Sequence, residues 1–136
     1  MSIIGLLWSG CIKCADDQNV VGESTVCSET ERNLWIGQME FTANLTKCSA
    51  KSMGVPKKIS VCLAGLYRTL SLPCGECLGR GSECAAMNCM IVCIRNQGSP
   101  ACRACFKEYC QEDLRLCAGA VDDSQLPPAP LDKDSL

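Results

Sequence analysis

Apolar residues recur at helical spacing through most of the chain, and no segment alternates as a half-buried strand does. Ser28 and Glu31 form a capping box, and Glu29 adds negative charge at the positive end of the helix dipole. A first predicted helix runs from there through Leu34, Phe41, Leu45 and Cys48 to Met53, where Gly54 and Pro56 stop it. After Pro56, Ile59, Cys62, Leu63, Leu66, Tyr67 and Leu70 form one amphipathic stripe, the second predicted helix. Ser71 and Pro73 restart the chain as a third helix reaching about Asn96, with Gly79 and Gly81 as points of interruption. Its stretch from Ala85 to Ile94 is almost wholly apolar, which predicts burial. Gly98 makes a turn, and Ser99–Pro100 supplies an N-cap with proline at the first helical position. A fourth helix then carries Cys102, Cys105, Phe106, Tyr109, Cys110 and Cys117 up to Gly119.

This pattern predicts an all-α chain of about four helices in two successive hairpins. Residues 1–28 lack periodicity and read as an N-terminal arm, residues 29–119 as the helical domain. Residues 120–136 hold three prolines and read as an extended, proline-stiffened tail.

Composition changes the picture through one residue type. Fourteen of the 136 residues are cysteine, and six are aromatic. A helical core this poor in aromatics is thin, and small domains with thin cores hold themselves together with disulfides. The chain contains no histidine, which removes serine–histidine and cysteine–histidine nucleophile pairs and imidazole zinc ligands. The net charge is −2, with no basic cluster longer than Lys57–Lys58, so nucleic acid is a poor candidate partner. No apolar run approaches the roughly 20 residues that span a bilayer. The IIGLLW run from Ile3 to Trp8 is too short for a signal-peptide core. Paired cysteines nevertheless call for an oxidising compartment, so a targeting sequence is expected to have been removed or left out of this chain.

The cysteine spacing constrains the pairing. Cys77 with Cys117, Cys84 with Cys110 and Cys89 with Cys105 have position numbers summing to 194, and Cys93 with Cys102 to 195. A constant sum is the signature of an antiparallel hairpin turning near residue 97. Facing Cα atoms of close-packed helices lie within disulfide range. One complication is phase: Cys89 and Cys93 sit about 140° around the helix from Cys77 and Cys84, at 100° per residue. The bridges must straddle both edges of the interface, or the helices bend. Upstream, Cys48 and Cys62 flank the turn near residue 55. Cys27 and Cys74 fall at the same end of an up–down bundle. The scheme leaves Cys11 and Cys14, for a total of seven bridges and no free thiol.

The run from Cys84 to Cys117 reads C-x4-C-x3-C-x8-C-x2-C-x4-C-x6-C, preceded by LSLPCGEC with Cys74 and Cys77. In its Asn88–Cys89 pair, its Cys102/Cys105 motif and a last cysteine followed by a small residue, it resembles a group of cysteine-rich proteins from dinoflagellates and related algae. The resemblance covers roughly residues 45–119. Some proteins that look like this class are plastid-lumen accessory subunits of photosystem I. The resemblance therefore implies a structural subunit beside a membrane, on the oxidising, lumenal side of a photosynthetic complex, with other protein subunits as partners. A free secreted binding module is the alternative.

Other features read more plainly. Cys11-Ile-Lys-Cys14 has the spacing of a redox pair or half a metal site, but no βαβ setting surrounds it, and a structural bridge is the simpler reading. A weaker alternative makes this pair a thiol oxidoreductase site. Cys74/Cys77 and Cys102/Cys105 are too far apart for a zinc ribbon, so no metal and no cofactor is expected. Asp16–Asp17 and Asp122–Asp123 read as solvated carboxylates, and Lys57–Lys58 as a wet helix face. Asn44-Leu-Thr46 has a glycosylation pattern but lies inside a predicted helix. Trp35 and Met39 read as a packing edge. No catalytic residue set emerges. The candidate docking elements are the arms: Ile3, Ile4, Leu6, Leu7 and Trp8 at one end, Leu126, Pro127, Pro128, Pro130 and Leu131 at the other, gripping a partner with the bundle between them.

Overall fold

A computed structural model describes residues 24–135. Six α-helices follow one another: α1 (Glu29–Arg32), α2 (Met39–Lys51), α3 (Pro56–Leu66), α4 (Leu72–Cys93), α5 (Pro100–Tyr109) and α6 (Gln111–Ala118). Two 3-10 turns, Asp123–Gln125 and Lys133–Ser135, complete the described chain, which contains no strand. The architecture is all-helical, and six disulfides staple the helices.

The first predicted helix is two. Its capping box forms: the Ser28 hydroxyl accepts from the Glu31 N–H, and the Glu31 carboxylate accepts from the Ser28 N–H at 2.8 Å. One turn later the backbone leaves the helix through Gly37, whose φ of 71° is a left-handed conformation that glycine adopts cheaply. This turn delivers Trp35 into the core, where it is fully buried. A straight helix would hold Trp35 and Phe41 on one rigid rod; the break lets their rings meet, with centroids 5.7 Å apart.

The second predicted helix is shorter than its stripe. α3 stops at Leu66, because Tyr67 is extended (φ −127°, ψ 100°), yet Leu70 still reaches the core from the loop. Tyr67 stacks obliquely on Phe41 and takes a hydrogen bond from the Asn44 amide at 2.8 Å. The Asn44-Leu-Thr46 motif thus sits in a helix with its asparagine engaged in packing.

Helix α4 is continuous across 22 residues, and its glycines are contacts rather than interruptions. A Cβ at Gly75 would lie 3.0 Å from the Ser60 Cα, and one at Gly79 2.8 Å from the Pro56 Cα. The two glycines let α3 and α4 approach backbone to backbone. The Ser60 hydroxyl donates to the Leu72 carbonyl at 2.6 Å across the same seam. Trp35, Phe41, Ile59, Leu63, Leu78, Leu114 and Ala118 fill the core between these helices, with Cys27, Cys48, Cys74, Cys77 and Cys117.

The fourth predicted helix is also two, broken at Cys110 (φ −127°, ψ −23°). The break answers the phase problem in the cysteine spacing. It re-aims the chain between Cys105 and Cys117, so that Cys110 and Cys117 can meet Cys84 and Cys77 on one face of α4.

The segment 120–136 is expected to be an extended tail available to a partner, but its described residues, 120–135, lie on their own bundle. Leu126 joins the core, the Trp35 Nε1–H donates to the Gln125 carbonyl at 2.7 Å, and the Thr42 hydroxyl donates to the Pro128 carbonyl at 2.6 Å. Buried donors on α2 and beside α1 thereby gain acceptors, and the proline-stiffened backbone loses little entropy in supplying them. Pro127, Pro128 and Pro130 are half-buried along this path, and of the five expected docking residues here Leu131 alone stays open, 60% exposed.

Glu31 ties these parts together. Besides its cap bond it accepts the Ser71 N–H, at the start of α4, at 2.7 Å. Burial pushes its carboxyl pKa upward, but hydrogen bonds from Ser71 and Ser28 outweigh that and hold it below the usual carboxylate range. A lowered folded pKa means that Glu31 stabilises the fold fully above the ordinary carboxylate pKa of about 4.3, and loses this contribution as pH falls through its folded value. Glu31→Gln is expected to cost ~1–3 kcal/mol at neutral pH, since charge-assisted bonds to two N–H groups are weakened. It should also flatten the acid side of the stability profile. Thermal melts of both proteins from pH 7 to pH 3 check this; parallel profiles would show that Glu31 does not titrate with folding.

Candidate functional site: the free end of the α4/α5 hairpin

Four cross-links hold α4 to the returning chain: Cys77–Cys117, Cys84–Cys110, Cys89–Cys105 and Cys93–Cys102, with Cα–Cα distances of 4.8–5.9 Å. Cys27–Cys74 ties the entry of α1 to the start of α4, and Cys48–Cys62 closes the α2/α3 hairpin. The four α4 rungs are the pairs that the constant sums select, Cys48–Cys62 is the pair flanking the turn near residue 55, and Cys27–Cys74 is the pair expected at one end of the bundle. Cys11 and Cys14 lie outside the described residues, as do Ile3, Ile4, Leu6, Leu7, Trp8 and Asp16–Asp17.

The two halves of the α4 hairpin differ in what fills them. The proximal half rests on the main core. The distal half has a separate small cluster of buried residues, Cys89, Cys93 and Cys102, with Cys105 packed against it. Cystines therefore replace an aliphatic core there. Among the described residues no third helix covers this half, since α3 packs against α4 through Gly75 and Gly79, near its N-terminus.

A two-helix layer has only one inner face, and the cysteines occupy it. The apolar residues between them must face outward. Ile91 is 91% exposed, Met87 78%, Ile94 71% and Met90 56%, with Val92 also exposed. This overturns the burial expected for Ala85–Ile94. Met87, Met90, Ile91 and Ile94 recur at i, i+3, i+4 and i+7, so they form one stripe along the helix. Such a stripe is larger than the scattered single apolar residues that are normal on a surface. The sequence held a signal for it. Once Cys84, Cys89 and Cys93 are assigned to a single partner helix, the remaining apolar positions have nowhere to be buried.

Charge is distributed unevenly around the stripe. From Cys84 to Lys107 the chain has three cations, Arg95, Arg103 and Lys107, and no acid; all 15 acidic residues lie elsewhere. All three cations are exposed. At the turn the tail returns: the Asn96 amide donates to Asp132 at 2.7 Å, the Lys133 N–H donates to the Asn96 side-chain oxygen, and the backbone of Pro130 and Leu131 crosses close over Gly98, where a Cβ would collide with it. The Asp132 pKa is held below the ordinary range, first by Asn96, then by the Asp134 N–H and more weakly by the charge of Arg103. The tail thus clamps the hairpin turn without covering the stripe.

Open grooves also lie away from the stripe. One, of about 330 Å³, is lined by Ser24, Arg80, Gly81, Cys84, Cys110 and Asp113 among others; the second, of about 340 Å³, is lined by Lys57, Ser60, Val61, Leu72, Pro73 and Glu76. Asp122 and Asp123 are exposed, Asp122 capping its 3-10 turn through the Ser124 N–H. Among the described residues, no three acidic or cysteine side chains are grouped to hold a metal, and no helix is long and apolar enough to cross a membrane. No protein-family model, curated protein or solved structure matches the chain.

Proposed function

We propose that the protein is a non-enzymatic structural subunit of a membrane-associated assembly, held on its oxidising side. The observation that carries this reading is an uncharged, outward-facing apolar stripe on a hairpin whose interior is made of disulfides. Such a hairpin cannot bury the stripe by refolding, so the stripe is a docking face of fixed shape, which lowers the entropy lost on association. Six bridges also call for an oxidising compartment or secretion. The more specific form places the subunit in the plastid lumen, against photosystem I. The spacing from Cys84 to Cys117 and its likeness to the dinoflagellate group support that form.

One observation favours a second reading. The tail closes on its own bundle, which leaves a self-contained body suited to a free secreted binding module. Affinity purification of tagged protein from detergent-solubilised membranes separates the two. A subunit elutes with a stoichiometric set of other chains, and Ile91→Asp with Ile94→Asp reduces that yield at least severalfold. Recovery only as a monomer in the soluble fraction would exclude the subunit reading.

A further inference from the structure

The occupant of the stripe is constrained by its rim. We infer that the hairpin end seats on an anionic lipid surface, with Met87, Met90, Ile91 and Ile94 entering the interfacial layer while Arg95, Arg103 and Lys107 meet the headgroup phosphates. The inference rests on the reading of this end as a docking element and names what it docks to. Interfacial helices that lie on a bilayer combine an apolar face with flanking cations. The disulfide register supplies that geometry. Arg95 follows the stripe by one residue, Arg103 follows the residue bridged to Cys93, and Lys107 lies two residues beyond the one bridged to Cys89. The three exposed cations therefore lie level with the stripe at two heights of the hairpin.

Acids approach this end from neighbouring elements, and their positions matter. Glu83 lies one turn before Met87, and Glu108 follows Lys107. Asp132 and Asp134 come from the tail at the turn, where Asp132 is engaged by Asn96 and by the Asp134 N–H. None lies within the stripe. Binding is accordingly expected to be moderate, driven jointly by insertion and charge, and sensitive to salt. A second copy of the chain fits less well. A two-fold pairing would set the cationic rims against each other with no acid between Cys84 and Lys107 to answer them. One stripe of four side chains also falls short of the ~20–30 residues a side of a standard interface.

Flotation of the full oxidised chain with vesicles tests this. One set of vesicles is phosphatidylcholine alone, the other an equal mixture with phosphatidylglycerol. The wild type should float with the anionic vesicles, and added salt should release it. Ile91→Asp with Ile94→Asp should reduce binding by a factor on the order of tenfold to a hundredfold, with helix content unchanged, because two large apolar groups no longer leave water. Arg95→Gln with Lys107→Gln should reduce binding to the anionic vesicles severalfold and leave any binding to phosphatidylcholine unaltered. No binding to anionic vesicles, or binding that the isoleucine variants leave intact, would overturn the inference. So would a wild-type dimer that these variants turn into a monomer, since the face would then serve self-association. Wild type that copurifies with the assembly but ignores vesicles overturns the lipid inference alone. Vesicle binding without copurification upholds it and removes the subunit reading.

Discussion

Replacing Cys89, Cys93, Cys102 and Cys105 together with alanine should unravel residues 86–105 while the rest of the bundle stays folded. The reason lies in what fills each half of the hairpin. The distal cluster consists of these four cysteines, with no aliphatic side chain among its buried members. Without the Cys89–Cys105 and Cys93–Cys102 bridges, α4 and α5 have no interior packing beyond the level of Cys84–Cys110. A bridge contributes about 2–4 kcal/mol, and two adjacent rungs share part of their effect. Amide protection in this segment should therefore fall by a factor on the order of thirtyfold to a thousandfold. Amides of Ile59, Leu63 and Leu78, which sit in the main core, should keep theirs. Hydrogen exchange with peptide resolution reads both regions at once. Uniform loss across the chain would mean that the two halves unfold as one unit.

Trp35→Ala should produce the largest loss from any single substitution. Trp35 is fully buried, packs on Phe41, and donates its indole N–H to the Gln125 carbonyl. Removing a buried tryptophan costs about 3–5 kcal/mol, and an orphaned carbonyl adds to that. For a domain of this size the melting temperature should fall by roughly 10–20 °C or more. The tail should also detach from Asp122 onward, because the hydrogen bond that anchors it is lost along with the wall against which Leu126 packs. Limited proteolysis should then cut between Asp122 and Leu131 in the variant and spare the wild type. A melting temperature lowered by only a few degrees, with a protected tail, would place the stabilising contacts elsewhere.

Much of the fold was legible because its signals are local or arithmetic. The capping box at Ser28, the proline starts at Pro56 and Pro100, and the stop at Gly119 (φ 71°) each depend on a few adjacent residues. The disulfide ladder was legible for a different reason: an antiparallel hairpin forces a constant sum on its rungs. The two helix breaks were not, since periodicity continues across both. Gly37 turns the chain because the core needs Trp35 beside Phe41, and Cys110 breaks its helix because the rungs must reach two different faces of a continuous α4. Both are tertiary demands that no local window contains. The tail misled for a related reason. Its composition suits an extended segment, and it is largely extended; what composition could not convey was that the Trp35 N–H and the Thr42 hydroxyl waited for its carbonyls. The docking stripe was masked by the rule that apolar runs are buried. That rule assumes a second layer, and the described residues give the distal hairpin none.

The central claim is that one fixed set of cross-links holds this thin core together, and peptide mapping of the unreduced protein tests it most directly. Tryptic cleavage after Arg80 and Arg95 leaves Cys84, Cys89 and Cys93 on a single peptide. That peptide should remain tied to the three fragments carrying Cys102, Cys105 and Cys110, with fragmentation resolving the pairs as 93–102, 89–105 and 84–110. The peptide holding Cys74 and Cys77 should be tied to those holding Cys27 and Cys117, and Cys48 to Cys62. A thiol reagent should label none of these twelve cysteines before reduction. Free thiols among them, or links that cross the ladder such as Cys77 with Cys110, would contradict the account.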